Sequence, residues 1–101
     1  MADKATAQLD AKLIEAVDLA LQGDWQGAHL IAQEHEGNEY ADWIHAVAHR
    51  MEGDLANARY WYGRCRRTLR ETVFTEAECR EIRTALGGPV DAPQNRSRAQ
   101  R

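Results

Sequence analysis

Apolar residues recur at steps of three and four along most of this 101-residue chain, the spacing of one face of an α-helix. Leu9, Leu13, Ile14, Val17 and Leu21 form the first stripe. Thr6 or Asp3 can cap its start, and Gly23 ends it, because glycine takes the left-handed conformation that closes a helix. Asp24 then offers a carboxylate to the free amides of a second helix, whose stripe is Trp25, Ala28, Ala32 and His35 and whose stop is Gly37. Asn38 can cap a third helix with Tyr40, Trp43, Ile44, Val47 and Met51 inward. Gly53-Asp54 repeats the stop and restart, and a fourth helix carries Leu55, Ala58, Tyr62, Cys65 and Leu69. After a weaker stretch, Thr75 and Glu78 have the spacing of a capping box. They open a fifth helix with Cys79, Ile82 and Leu86 on its apolar side, ended by Gly87-Gly88-Pro89. Alternating β-branched runs and Asn-Gly or Asp-Gly hairpin turns between them are absent, so the expected class is all-α. Residues 1–86 read as one domain, and 87–101, without periodicity, as a flexible C-terminal tail.

The stripes are not independent. Shifted by thirty residues, the chain aligns with itself: Gly23-Asp24 falls on Gly53-Asp54, Ala28 on Ala58, and Ala11, Ile14, Ala16 and Val17 on Ala41, Ile44, Ala46 and Val47. The repeated unit is a helix, a tight Gly-Asp turn and a second helix. Its alanine, four residues after the aspartate, lets the two helices approach closely. The expected architecture is therefore two antiparallel helical hairpins of about thirty residues each plus a C-terminal capping helix.

Gly23-Asp24-Trp25-Gln26-Gly27-Ala28 and Gly53-Asp54-Leu55-Ala56-Asn57-Ala58, with Tyr62 and Cys65 following the second copy, resemble the turn of the tetratricopeptide class and its Sel-type relatives. Ala16 and Ala46 suit the small position of that family's first helix. The resemblance spans about residues 9–69; its period of thirty is shorter than the family's, and the closing proline is missing at Tyr40 and Arg70. The segment from Asp42 through His49-Arg50-Met51-Glu52-Gly53-Asp54 to Asn57-Ala58-Arg59-Tyr60-Trp61-Tyr62 is also similar to a motif in small uncharacterised bacterial and fungal proteins. The first resemblance implies a scaffold that binds proteins or peptides and rarely does chemistry. Two repeats seldom bury enough surface alone, so the fifth helix, or a second copy in a homodimer, would cover the open end.

Composition narrows the classes. The net charge of −3 argues against a strongly basic nucleic-acid binder. No apolar run is long enough to span a membrane, and no secretory signal is visible. Cys65 and Cys79 form no metal or redox spacing and read as packing residues of a reduced, cytoplasmic chain. Charge is uneven: residues 1–54 hold 11 acidic against 3 basic residues, and 55–101 hold 10 arginines against 5 acids. Either the chain presents an acidic and a basic face, or the acids and bases of neighbouring helices simply face one another.

Three sets of residues are candidates for function. Asp42, His45 and His49 share a face of the third helix. An HxxxH pair with a carboxylate can bind zinc or another borderline metal; the same face can serve a partner or subunit, or be a plain hydrogen-bonded polar surface. His35 and His29 read as half-buried structural histidines. Tyr60 and Trp61 sit beside the core residue Tyr62, with Tyr60 pointing away, either to an interface or onto the fifth helix. Arg64, Arg66, Arg67 and Arg70 beside Arg59 can receive an acidic peptide or phosphate, or can complement a helix dipole. They lack a glycine-rich phosphate loop or an aromatic RNA-binding motif, so nucleic acid is not the expected partner; Arg96, Arg98 and Arg101 in the tail could add weakly. No catalytic constellation stands out and no cofactor is called for. The sequence therefore points to a non-enzymatic protein- or peptide-interaction module using Asp42, His45, His49, Tyr60, Trp61, Arg64 and Arg67, with metal binding at Asp42/His45/His49 as the alternative.

Overall fold

The computed structural model describes residues 4–87. They form five helices: α1 (Lys4–Leu21), α2 (Trp25–Gln33), α3 (Glu39–Glu52), α4 (Leu55–Arg64) and α5 (Thr75–Ala85). Among the described residues there is no strand, as the periodicity predicts, and no helix is long and apolar enough to cross a membrane. The tail from Gly88 onward and the proposed cap Asp3 lie outside the described residues, and Thr6 lies inside α1 rather than at its cap.

Two turns have the same atomic construction. Gly23 and Gly53 stand at φ +89° and +91°, a region that costs other residues roughly 1–2 kcal/mol. Each glycine amide donates back to the helix it ends, to the carbonyls of Ala20 and Arg50. The next amides, of Asp24 and Asp54, reach Leu19 and His49, so each end closes as a Schellman motif. The carboxylates of Asp24 and Asp54 then accept from the amides of Gly27 and Asn57 at 2.9 and 3.2 Å, capping α2 and α4. Asn38 caps α3 by accepting from Tyr40 and Ala41.

Successive helices pack on one another, α1 on α2, α2 on α3 and α3 on α4, and α1 also touches α3. The centre is α3, on which nine consecutive residues, Ala41 to His49, are buried. Alanines 16, 28, 32, 41, 46 and 58 are closed to solvent at the helix contacts, which permits close backbone approach. Leu13, Val17, Ile44, Val47, Tyr62 and Ile82 fill the space between them.

Three elements differ from the sequence expectation. The second helix ends at Gln33, so His35 lies in the turn that leads to Gly37 and not on the helix. The fourth helix stops at Arg64 instead of continuing to Leu69. Arg66 takes φ +64° and Arg67 donates to the Tyr62 carbonyl at 2.8 Å, so the chain closes a third Schellman turn with arginine in the place usually held by glycine. Leu69 packs on the core from the following loop. The Thr75/Glu78 capping box does not form: the N-cap of α5 is Phe74, with no side-chain cap. Glu78 points inward instead and accepts from the Trp43 indole N–H at 2.8 Å, the Tyr62 hydroxyl at 2.7 Å and the Arg50 guanidinium at 2.7 Å. Arg50 also donates to the Val73 carbonyl at 2.8 Å. This buried group ties α5 to α3 and α4 by charge-assisted bonds.

The backbone of α5 lies against α1 and α3, and it meets α4 through the Tyr62–Glu78 hydrogen bond. Tyr60 is consequently not covered by α5 and remains 55% exposed. The acidic and the arginine-rich halves meet where Arg83 pairs with Asp18 and Arg67 with Glu39, while Arg50–Glu78 joins the halves in the opposite sense.

Candidate functional sites: a buried histidine cluster and an arginine edge

Because α3 runs through the middle of the bundle, the face carrying Asp42, His45 and His49 is an interior face. All three are buried, Asp42 to 2% exposure and His45 to 3%. The expectation of a polar surface here is corrected by the neighbours: α2 and α4 flank α3 on both sides. The structure also separates the three. Asp42 turns to the end of α2 and accepts from the Gly37 amide at 3.2 Å, so it closes the α2–α3 turn and does not join the histidines.

His29 of α2 takes the place expected for Asp42. Its ring centroid lies 4.4 Å from that of His45 and 5.1 Å from that of His49, and His45 and His49 are 5.1 Å apart. One ring nitrogen from each of the three falls within 4.8 Å of the others. His49 Nδ1 lies 3.2 Å from Glu52 Oε1; with its proton on that nitrogen, the lone pair is on Nε2. His45 stacks on the Trp61 indole at 3.8 Å between centroids, with its Nδ1 buried and without a hydrogen-bond partner. Burial first, and then the neighbouring His29, His49 and Arg64, hold the His45 imidazole down at about 4, so it is neutral near pH 7. Desolvation and His49 lower His29 as well, while Glu52 and Glu36 oppose them.

His29 was legible as a residue but not as a member of this group. The signal was the turn: residues equidistant from Gly37 on two antiparallel helices oppose each other, which brings 29 against 45. His35, read as half-buried and structural, is half-buried at the end of the α2 turn and outside the cluster. Cys65 and Cys79 are free and buried, and burial raises both thiols, Cys79 to about 12.

The second site is exposed. Arg64 donates to the Tyr60 hydroxyl at 3.0 Å and lies 5.0 Å over the Trp61 ring. Trp61 itself is buried. Arg67 stacks 3.5 Å above Trp43 and donates to Glu39 at 3.1 Å, while its Nε is buried with no hydrogen-bond partner. Two shallow cavities share Arg66 and Arg67 as a common wall: one of about 320 Å³ reaches Arg64 and Glu39, the other of about 310 Å³ reaches Thr68, Arg70 and Trp43. Of the partner-contact candidates, this brings Tyr60, Arg64 and Arg67 to one edge and leaves Asp42, His45, His49 and Trp61 inside.

The chain matches no protein-family model, no curated protein sequence and no solved structure.

Proposed function

We propose that the chain is a small helical-repeat interaction module that binds an acidic segment of a partner protein along the edge formed by Tyr60, Arg64, Arg66 and Arg67. The reading of the scaffold as two hairpins of one repeated unit is supported by the two matching Gly-Asp turns and by the order in which the helices pack. In this reading α5 lies across the first helices of both hairpins, α1 and α3, and does not stack on the end of the second hairpin.

The observation that carries the choice of ligand is the convergence of three arginines, Arg64, Arg66 and Arg67, on one open cavity of about 320 Å³. Guanidinium groups bind carboxylates by charge-assisted hydrogen bonds, and an acidic segment would supply them. Arg66 adds a second sign, since its left-handed backbone is held at the same edge and strain of this kind concentrates at functional sites. Tyr60 supplies exposed aromatic area of the type enriched in interfaces.

The test is fluorescence anisotropy with a labelled peptide rich in glutamate and carrying one leucine, against a lysine-rich control. Binding of the acidic peptide alone, weakening as salt rises, and reduced about tenfold or more by Arg64→Ala with Arg66→Ala, a loss of about 1.4 kcal/mol, is the expected result. Equal affinity for both peptides, or an unchanged affinity in the double variant, would refute the assignment.

A further inference from the structure

We propose that His29, His45 and His49 form a binding site for one divalent transition-metal ion of borderline softness, of which zinc is the representative. The site is distinct from the arginine edge and uses none of its residues. Three imidazoles are a donor set suited to zinc, copper, cobalt or nickel and poorly suited to magnesium or calcium. They come from two elements, α2 and α3, already packed against each other. An ion would therefore bind a prepared surface and not organise a loop.

The state of each donor fits the role. His45 holds a buried ring nitrogen with no partner, an arrangement that is costly in an apolar interior and that a metal ion relieves. His49 is oriented by Glu52, the carboxylate–imidazole pairing that fixes the tautomer of metal ligands. His29, half-buried, connects the group to solvent. Tetrahedral zinc with Zn–N bonds of about 2.0–2.1 Å requires nitrogens about 3.4 Å apart. The observed limit of 4.8 Å therefore closes by side-chain rotations on the order of an ångström. A second group, His49, Glu52 and Asp54, lies within the same 4.8 Å. There the Asp54 carboxylate already accepts from the Asn57 amide and side chain, so it competes poorly for a cation.

With three protein ligands, the fourth coordination position is left to water or an incoming group, as in open zinc sites. Arg64 lies close enough to depress the charged form of His45, and the acidic Glu36 and Glu52 act in the opposite sense on His29. Glu52, at the end of α3 and 3.2 Å from His49 Nδ1, is the carboxylate placed against the group.

Zinc titration of the tag-free full chain by calorimetry tests the assignment, with magnesium as the negative control. The expected result is one zinc ion per chain, no magnesium uptake, and affinity weakened about tenfold or more by His29→Gln. Glu52→Gln is expected to weaken it about tenfold through the oriented His49, and His35→Gln to leave it unchanged. Because His29 is only half-buried, its variant is the one that keeps the fold, which circular dichroism checks. Copper should quench the native chain's tryptophan fluorescence and do so less in Trp61→Phe, since Trp61 stacks on His45. No zinc uptake by the native chain would overturn the proposal. So would affinity unchanged in His29→Gln, which would place the ion at His49, Glu52 and Asp54, or an equal loss in His35→Gln.

Discussion

Single residues set the geometry here through backbone conformation and through proton affinity. Gly53 occupies the left-handed region, so Gly53→Val should destabilise by about 1–2 kcal/mol or more, read from urea unfolding; unchanged stability would show that the turn can be built without glycine. Arg66 presents the converse case. It pays the left-handed penalty at φ +64°, so Arg66→Gly should raise stability by about 1 kcal/mol while weakening the acidic peptide. His45 adds a pH dependence. The unfolded residue takes up its proton near 6.5, the folded one only near 4. The unfolded chain therefore binds more protons between these values, and the contribution present at pH 7 is lost as pH falls from 6.5 toward 4. At pH 5 the loss from this group is about 2 kcal/mol. Urea unfolding of the chelated native chain and of His45→Gln at pH 7 and pH 5 should give the smaller pH difference for the variant; equal differences would remove His45 as the cause.

At the level of elements, the legible features were those with local causes. The stripes of α1 and α3, Asn38 and the two Gly-Asp turns each depend on residues within one turn of the chain, and each is where periodicity and capping chemistry place it. Three misreadings share a different origin. Leu69 continued the α4 stripe in register, but the Arg66 turn ends the helix first. Glu78 had the spacing of a cap, yet three donors from 16 to 35 residues away draw it inward. The Asp42/His45/His49 face seemed polar because those residues are polar; its burial follows from α3 having neighbours on every side, a tertiary fact that an isolated stripe does not encode. Glu78→Ala tests the second correction. It leaves Arg50 in a largely buried setting without its carboxylate, and should cost about 3–5 kcal/mol in thermal or chemical unfolding. A cost within the range of exposed pairs, under about 1 kcal/mol, would mean that the group is wetter than its geometry implies.

Over the whole molecule, the helical-repeat reading and the packing of α5 answer the same need. Helices α1 to α4 leave one side of α1 and α3 open, and α5 fills it with Cys79, Ile82 and Leu86 while delivering Glu78 to the centre. Truncation after residue 73 should therefore abolish the cooperative melt by circular dichroism, whereas a cooperative transition retained by the shortened chain would show that the hairpins stand alone. Part of the uneven charge is met within the molecule, where Arg83 of the second half pairs with Asp18 and Arg67 with Glu39. What it leaves outward is the arginine edge after α4, next to an aromatic that α5 does not cover. Chemical-shift mapping of the labelled full chain with the glutamate-rich peptide tests that claim most directly. Perturbations concentrated on the amides of residues 60–70 are the predicted result; perturbations confined to α1 and α2, or none at saturating peptide, would contradict it.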